Sequence, residues 1–456
     1  MRRKPFRMIA LVLLLVVFLL PFSAAAVAKD IKPIQNVNPI IFVHGTFGSA
    51  AQFESQAMRF TSNGYPADYI TACEYDSSFT INTMDDVYAK IDQHIADVMA
   101  KTGATQVDVL GHSLGTTVMH GYLAFPNRAA NIAHYVNIDG RTALAPPGGV
   151  PTLAIWSGLG TPGRQIVGAI NVTIPNQTHV QVATSSESFV EMFRFFTGKD
   201  PATSSIIPEP QDQVRLAGRA VDFPQNKGVE GATVEMWEVD AATGMRTKKK
   251  PADTCVVGAD GAWGPFKAKG GWSYEFVILR EGARIHHFYS EPLIRSDYLV
   301  RLNTSPPGGV GDYMDISNNH SNLVLTRNKE LWGDQGVNND ILTINGVNVV
   351  TAAGCPITKM VIGMFVYDRY ADRVSNLSAP IPLFNALPFL TGIDLFIPGA
   401  EPPNGRISVV LIPRGGSGKT QVVNFPNWAS SKHTITVMLN DFRQDINTWV
   451  DYVQAK

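Results

Sequence analysis

The sequence predicts an α/β protein: a mostly parallel sheet flanked by helices, followed by an all-β sandwich or barrel region. Three observations carry this. Residues 36–200 alternate short apolar runs with helical patterns and glycine turns. A Gly-x-Ser-x-Gly pentapeptide sits between a β-branched run and a helical pattern. Beyond a proline-rich stretch at residues 200–210, apolar residues alternate with period two between Gly and Asp turns.

Residues 1–28 read as an export leader. Arg2, Arg3, Lys4 and Arg7 make a basic start, residues 8–20 an apolar core, and Ala26-Val27-Ala28 a small-x-small cleavage site. The apolar core falls short of the ~20 residues a membrane span needs, so a cleaved leader is preferred to an uncleaved anchor. The expected location is secreted, periplasmic or at the cell envelope. No later segment is long enough to cross a bilayer, and oligomeric state is left open. The whole chain holds 38 basic and 39 acidic residues, four of the basic ones in the leader, so the remainder is mildly acidic. With no basic patch or tail, nucleic acid is excluded as a partner. Three cysteines, Cys73, Cys255 and Cys355, are too few for a disulfide framework, although Cys255 and Cys355 remain a candidate pair. Metal-ligand spacings are absent, and neither metal nor cofactor is expected.

An α/β unit is expected over residues 29–205. Residues 39–43 read as a buried strand running into His44-Gly45-Thr46-Phe47-Gly48. A helix is expected from Met84 to Thr102, with Val87, Ile91, Ile95 and Val98 on one face. Residues 107–110 form the strand before Gly111-His112-Ser113-Leu114-Gly115. A strand-to-helix turn this tight lifts a serine Oγ out of the sheet, which makes Ser113 the candidate nucleophile. Strands follow at residues 132–138 and 151–158, then an alternating run at 170–174 ending in a polar turn and His179. The last helix carries Phe189, Met192, Phe193 and Phe196 at helical spacing, with Ser185, Ser186 or Ser188 as its cap.

A serine hydroxyl attacks only if a base takes its proton, and the base needs a carboxylate to hold its tautomer. Asp139 is the sole acidic residue between Ser113 and His179, so the triad is read as Ser113, Asp139 and His179. The rival histidines are assigned elsewhere: His120 to the nucleophile helix, His134 to mid-strand, His112 to the supporting side of the elbow, and His44 to its loop. The N–H groups of Thr46 and Leu114 are the expected oxyanion donors. Phe47 and Tyr122 are the expected substrate-binding residues, with Phe53, Leu144 and Ile155 as further acyl-site candidates. Residues 143–163, rich in Gly and Pro, are expected to form part of a cover.

These residues resemble the α/β-hydrolase superfamily, and within it the microbial secreted lipases and esterases. His44 to Gly48, Gly111 to Gly115, Asp139 and His179 carry the resemblance over residues 36–200. An acid directly after the strand that follows the nucleophile helix is less usual in that family, and resembles the lipases that use the earlier position. The hydrolase-then-β layout resembles the Archaeoglobus-type lipases. Residues 206–302 resemble a prealbumin-like β-sandwich module. Residues 303–456 read as a second β-rich unit for substrate binding, with a terminal helix at residues 442–453. Within it, residues 380–400 are apolar and proline-broken, suited either to a lipid-facing patch or to folding back on the core. The resemblance implies a carboxylic ester hydrolase of the lipase or esterase type acting on lipid-like esters through an acyl-enzyme. The alternatives are a short-chain esterase, a polyester depolymerase, or a non-catalytic surface-binding protein on a hydrolase scaffold.

Overall fold

The computed structural model describes residues 33–415 and 420–442. The leader at 1–28 and all but the first residue of the terminal helix read at 442–453 lie outside the described residues. The first strand among the described residues is β1 (Ile40–Val43), an inner strand of its sheet with residues that are all fully buried. The chain continues through α1 (Glu54–Ser62), β2 (Ile70–Cys73), α2 (Met84–Thr102), β3 (Val107–His112), α3 (Leu114–Leu123), α4 (Pro126–Ala129), β4 (Ile132–Ile138), β5 (Thr152–Ser157), β6 (Ile170–Ile174), α5 (Gln181–Thr184) and α6 (Ser186–Thr197). The sheet order is β2-β1-β3-β4-β5-β6 and each pairing is parallel. The strand order therefore reverses between β1 and β3, and in open parallel sheets ligands bind beyond the strand C-termini at that point.

The helices form for local reasons. The Thr83 hydroxyl accepts from the Asp86 N–H while the Asp86 carboxylate accepts from the Thr83 N–H, a capping box that starts α2. Val87, Ile91, Ile95 and Val98 are its buried face, and Gly103 ends it in the left-handed region. Ser185 is the cap of α6, accepting from the Ser188 N–H. Phe189, Met192, Phe193 and Phe196 then pack into one core on that side of the sheet.

Residues 200–210 are irregular but pinned. Asn63 Nδ2 donates to the Thr203 carbonyl at 2.8 Å, and Arg295 Nη1 donates to the Ile207 carbonyl at 2.8 Å. The strands beyond are β7 (Arg215–Asp222), β8 (Lys227–Gly228), β9 (Thr233–Val239), β10 (Asp253–Val256), β11 (Ala262–Lys267), β12 (Ser273–Leu279), β13 (Ile285–Ser290) and β14 (Asp297–Thr304). After them come β15 (Leu323–Arg327), β16 (Ile341–Ile344), β17 (Val347–Asn348), β18 (Gly363–Tyr367), a short α7 (Pro382–Ala386), β19 (Leu390–Asp394), β20 (Arg406–Ile412), β21 (Gln421–Pro426) and β22 (His433–Leu439). One eight-stranded sheet, β10-β9-β12-β13-β22-β15-β18-β19, runs through both β units and crosses residue 302. A smaller sheet covers each half: β11-β7-β14 over the first and β17-β16-β20-β21 over the second. Cys355 lies in the core of the second half, and Cys255 packs against that of the first. They do not pair, and all three cysteines are free thiols.

Between α1 and the β units lies a cavity whose walls include Glu54, Asp297 and Asp441. Burial, reinforced by the neighbouring Asp297 and Asp441 carboxylates, raises the Glu54 carboxyl; burial also raises Asp441, against the pull of nearby Arg59 and Arg327, and pushes Asp297 up to about 7. An acid whose folded pKa lies above its unfolded value near 4 binds its proton more tightly when folded. Stability is therefore lost as pH rises from about 4 to about 7. Asp297→Asn keeps an acceptor for the Leu299 N–H, which now reaches Asp297 Oδ1 at 2.8 Å. The variant should melt about 2–5 °C above the parent at pH 8 and level with it at pH 4. Thermal melts at both values check this, and a variant that melts lower at pH 8 would contradict it.

Candidate active site

The loop after β1, the turn after β3, the turn after β4 and the loop after β6 meet above the C-terminal ends of the strands. Ser113 sits between β3 and α3 with φ 54° and ψ −120°. Such a backbone is strained for a residue with a side chain and persists only where the surroundings hold it. Here the Ser113 N–H donates to the Ile138 carbonyl at 3.0 Å, and Thr116 Oγ1 donates to the Ser113 carbonyl at 2.7 Å. The flanking glycines are sterically required. A Cβ on Gly111 would lie 2.7 Å from the Gly115 carbonyl oxygen, and one on Gly115 would lie 2.3 Å from that of Val43.

Asp139 follows β4 directly, with φ 43°. Its Oδ2 accepts from His179 Nδ1 at 2.7 Å and from Ser157 Oγ at 2.8 Å. Its Oδ1 accepts from the Ser157 N–H at 3.0 Å and from Arg164 Nη1 at 2.9 Å. The Arg164 guanidinium also stacks on Trp156, 4.6 Å from the ring centre. Burial pushes the Asp139 carboxyl up, but hydrogen bonds from His179 and Ser157 outweigh it and hold the group well below the usual carboxylate range. With Nδ1 engaged by Asp139, Nε2 is the free basic position of the neutral His179 ring.

The other histidines have structural contacts. Gln52 Nε2 donates to His112 Nδ1 at 2.7 Å, and His112 Nε2 donates to the His179 carbonyl at 2.9 Å. His112 thus steadies the histidine loop, and burial holds its ring well below the usual imidazole range. His44 is buried against Tyr75 with ring centres 4.3 Å apart. His120 meets Asn137 Oδ1 at 3.2 Å and His134 meets Asp108 Oδ1 at 2.8 Å.

In the loop after β1, Phe47 N–H donates to Ser77 Oγ at 2.7 Å and Gly48 N–H to the Gly45 carbonyl at 3.1 Å. Among the described residues the Thr46 N–H donates to no acceptor, and Leu114 is the first residue of α3, where N–H groups lack helical partners. The loop packs on Ser113: a Cβ on Gly45 would lie 2.8 Å from Ser113 Cβ. Asn226 of the first β unit braces it, donating from Nδ2 to the Gly48 carbonyl at 2.9 Å and the Tyr75 carbonyl at 3.1 Å.

Ser113, His179, Thr46 and Phe47 line one cavity. Its apolar walls come largely from the β units: Phe223, Ile362, Pro388, Phe389 and Leu390. The apolar segment at 380–400 therefore divides. Ile381, Phe384, Ile393, Leu395 and Ile397 are buried in cores, while residues 388–390 face the cavity.

Several expected contacts are not made. Tyr122 is fully buried on the opposite side of α3, donating to Asp92 Oδ1 at 2.6 Å beneath α2. Phe53 stacks on Phe42, Ile155 lies in the sheet core, and Leu144 is 91% exposed. Among the described residues, the cavity wall contains nothing from 143–163, so the cover comes from the β units instead. Ser157, Arg164 and Asn226 escaped the sequence reading. Ser157 ends a strand already recognised, but Arg164 and Asn226 lie in irregular loops with no local signal.

Three family models match parts of the chain. A family model for class 2 lipases matches residues 37–132, a lipase C-terminal domain matches 212–307, and a further C-terminal domain model matches 309–443. Among solved structures, a Listeria innocua gene product is 16% identical, covering 37% of this chain and 97% of that one, at a TM-score of 0.27. The metagenome-derived lipolytic enzymes LipS and LipT give 15% identity, 37% and 98% coverage and a TM-score of 0.28. Against a pyrethroid hydrolase, at 19% identity and a TM-score of 0.20, the match takes in 24% of this chain and 42% of that one, less than half its length. Among the described residues no helix is long and apolar enough to cross a membrane. The chain thus resembles the class 2 lipases over residues 37–132, on a parallel sheet flanked by helices of the α/β-hydrolase type, and a lipase C-terminal domain over residues 212–307.

Proposed function

We propose that the protein is an exported serine carboxylester hydrolase acting on lipid-like esters. The observation that carries this reading is the His179–Asp139 pair at 2.7 Å opening, with Ser113 on its strained elbow, into a cavity with apolar walls. Ser113 Oγ attacks the ester carbonyl carbon as His179 Nε2 takes its proton. Asp139 stabilises the resulting imidazolium, and the Thr46 and Leu114 N–H groups receive the oxyanion. Collapse breaks the bond to the alcohol oxygen, which leaves with the proton from His179. Water, deprotonated by the same nitrogen, then splits the acyl-enzyme, releasing a carboxylic acid and regenerating Ser113. Phe47, Phe223, Phe389 and Leu390 offer an acyl chain an apolar wall, with each buried methylene worth about 0.8 kcal/mol. Export rests on the leader pattern at residues 1–28.

Hydrolysis of p-nitrophenyl esters from acetate to palmitate, with Ser113→Ala as the blank, tests this. The expected result is a Ser113-dependent rise in kcat/KM with chain length. A maximum at acetate would replace the lipase reading with a short-chain esterase, and Ser113-independent turnover would end it.

A further inference from the structure

The loop that carries His179 does not hold itself. Its two flanking residues turn their polar groups away from the hydrolase sheet to one carboxylate. Thr178 Oγ1 donates to Glu330 Oε2 at 2.6 Å, the Val180 N–H to Glu330 Oε1 at 2.7 Å, and the Gln181 N–H to Glu330 Oε2 at 3.1 Å. Glu330 is fully buried and lies about 150 residues away in sequence, just after β15 of the second β unit. Three donors converge on its two oxygens, so the carboxylate fixes the backbone on both sides of the histidine at once.

Glu330 is itself held in place. Arg414 Nη1 donates to the Glu330 carbonyl and, at 2.6 Å, to Asp340 Oδ2, while Nη2 donates to Gln181 Oε1 at 3.0 Å. The Arg414 guanidinium lies over the Trp332 ring, 3.8 Å from its centre. Asp340 also accepts from Arg327 Nη1 at 3.1 Å. On the same segment, Asn328 takes the Thr184 hydroxyl on its carbonyl at 3.1 Å and donates from Nδ2 to the Ala51 carbonyl at 2.8 Å. Residues 328–330 thus form a bracket anchored in the β unit and closed on the loop that carries the base.

We infer that Glu330 is a positioning residue for His179, acting on the reaction proposed above and resting on His179 being its base. It touches neither substrate nor Ser113. It sets the direction of the imidazole, and a displacement of about 1 Å at such a group costs on the order of 100-fold in rate. This gives the second β unit a role separate from holding an acyl chain, and one that small soluble esters will report.

The test is Glu330→Gln, which keeps the shape but turns one acceptor into a donor facing a donor. Activity is measured on p-nitrophenyl acetate in the full chain, with active sites counted by a fluorophosphonate probe. Glu401→Gln is the control, since it strips a carboxylate from His433 elsewhere in the same unit. The inference expects kcat in Glu330→Gln to fall about 10- to 100-fold with KM within about twofold, and Glu401→Gln to stay near the parent. A kcat within about twofold of the parent, or a loss matched by Glu401→Gln, overturns it. If Glu330→Gln does not fold, Thr178→Val decides: a several-fold loss in kcat at unchanged KM supports the inference, and parental kcat overturns it. Ser113→Ala in the same assay separates the two levels. Activity surviving there refutes the nucleophile assignment, whereas an inactive Ser113→Ala beside a fully active Glu330→Gln refutes the bracket alone.

Discussion

Ser113→Ala is expected to lower turnover by roughly 10⁴- to 10⁶-fold while leaving the fold unchanged. The bonds that hold the elbow run through the Ser113 N–H and carbonyl, to Ile138 and from Thr116, and the described scaffold does not use Oγ. Alanine therefore removes the attacking atom and little else. What remains is the Thr46 and Leu114 donors and the cavity, which still bind an ester but provide no group to attack it. Initial rates beside a urea melt decide the matter. Near-parental rates would remove Ser113 from the chemistry, and a shifted melt would mean that the hydroxyl also supports the fold.

Asp139→Asn is expected to cost about 10⁴-fold, and the structure says why the loss should be complete rather than partial. An asparagine has one acceptor and one donor end, and here its orientation is dictated. The Oδ1 position faces two donors, the Ser157 N–H and Arg164 Nη1, so the amide oxygen must lie there. The amide nitrogen then faces His179 Nδ1 and donates to it. That forces the proton of the neutral ring onto Nε2, the position that has to accept from Ser113. The fluorophosphonate reaction should slow in parallel with ester hydrolysis, because both need the same proton transfer. A loss of only a few-fold would place the acid elsewhere. The acid limb of the stability curve should change too. Asp139 has a depressed folded-state pKa, so its contribution is present above the unfolded value near 4 and is lost as pH falls through the folded one. Asp139→Asn removes that dependence.

The sequence made the Gly-x-Ser-x-Gly turn and the succession of strands and helices around it legible because each is local, and the Asp139–His179 contact legible by elimination. The elbow is five consecutive residues, and no other acidic residue lies between Ser113 and His179. The period of α2 and the serine cap of α6 were readable for the same reason. Tyr122 shows where nearness in sequence misleads. It follows Ser113 by nine residues, about two and a half turns of a 3.6-residue helix, and so projects from the opposite face. The cover was placed on residues 143–163 because Gly and Pro mark loops, but loop composition does not say what the loop faces. Asn226, Glu330 and the cavity wall at 388–390 meet the hydrolase across 150 residues or more of chain. No periodicity or spacing encodes such contacts. They arise only when two surfaces dock, and a buried carboxylate such as Glu330 is indistinguishable in the sequence from one on a solvated face.

The place of β22 sets the order in which this molecule is finished. The last described strand lies between β13 and β15, parallel to both, at the centre of the eight-stranded sheet. Until residues 433–439 are synthesised, each half of that sheet ends in an unpaired edge where the strand belongs, and such edges invite pairing with other chains. The hydrolase sheet, by contrast, is complete once β6 has been made. Vectorial synthesis therefore delivers this strand after every other described one: a ribosome that has not yet reached residue 433 has built the Ser113 turn but not the sheet whose loops roof it.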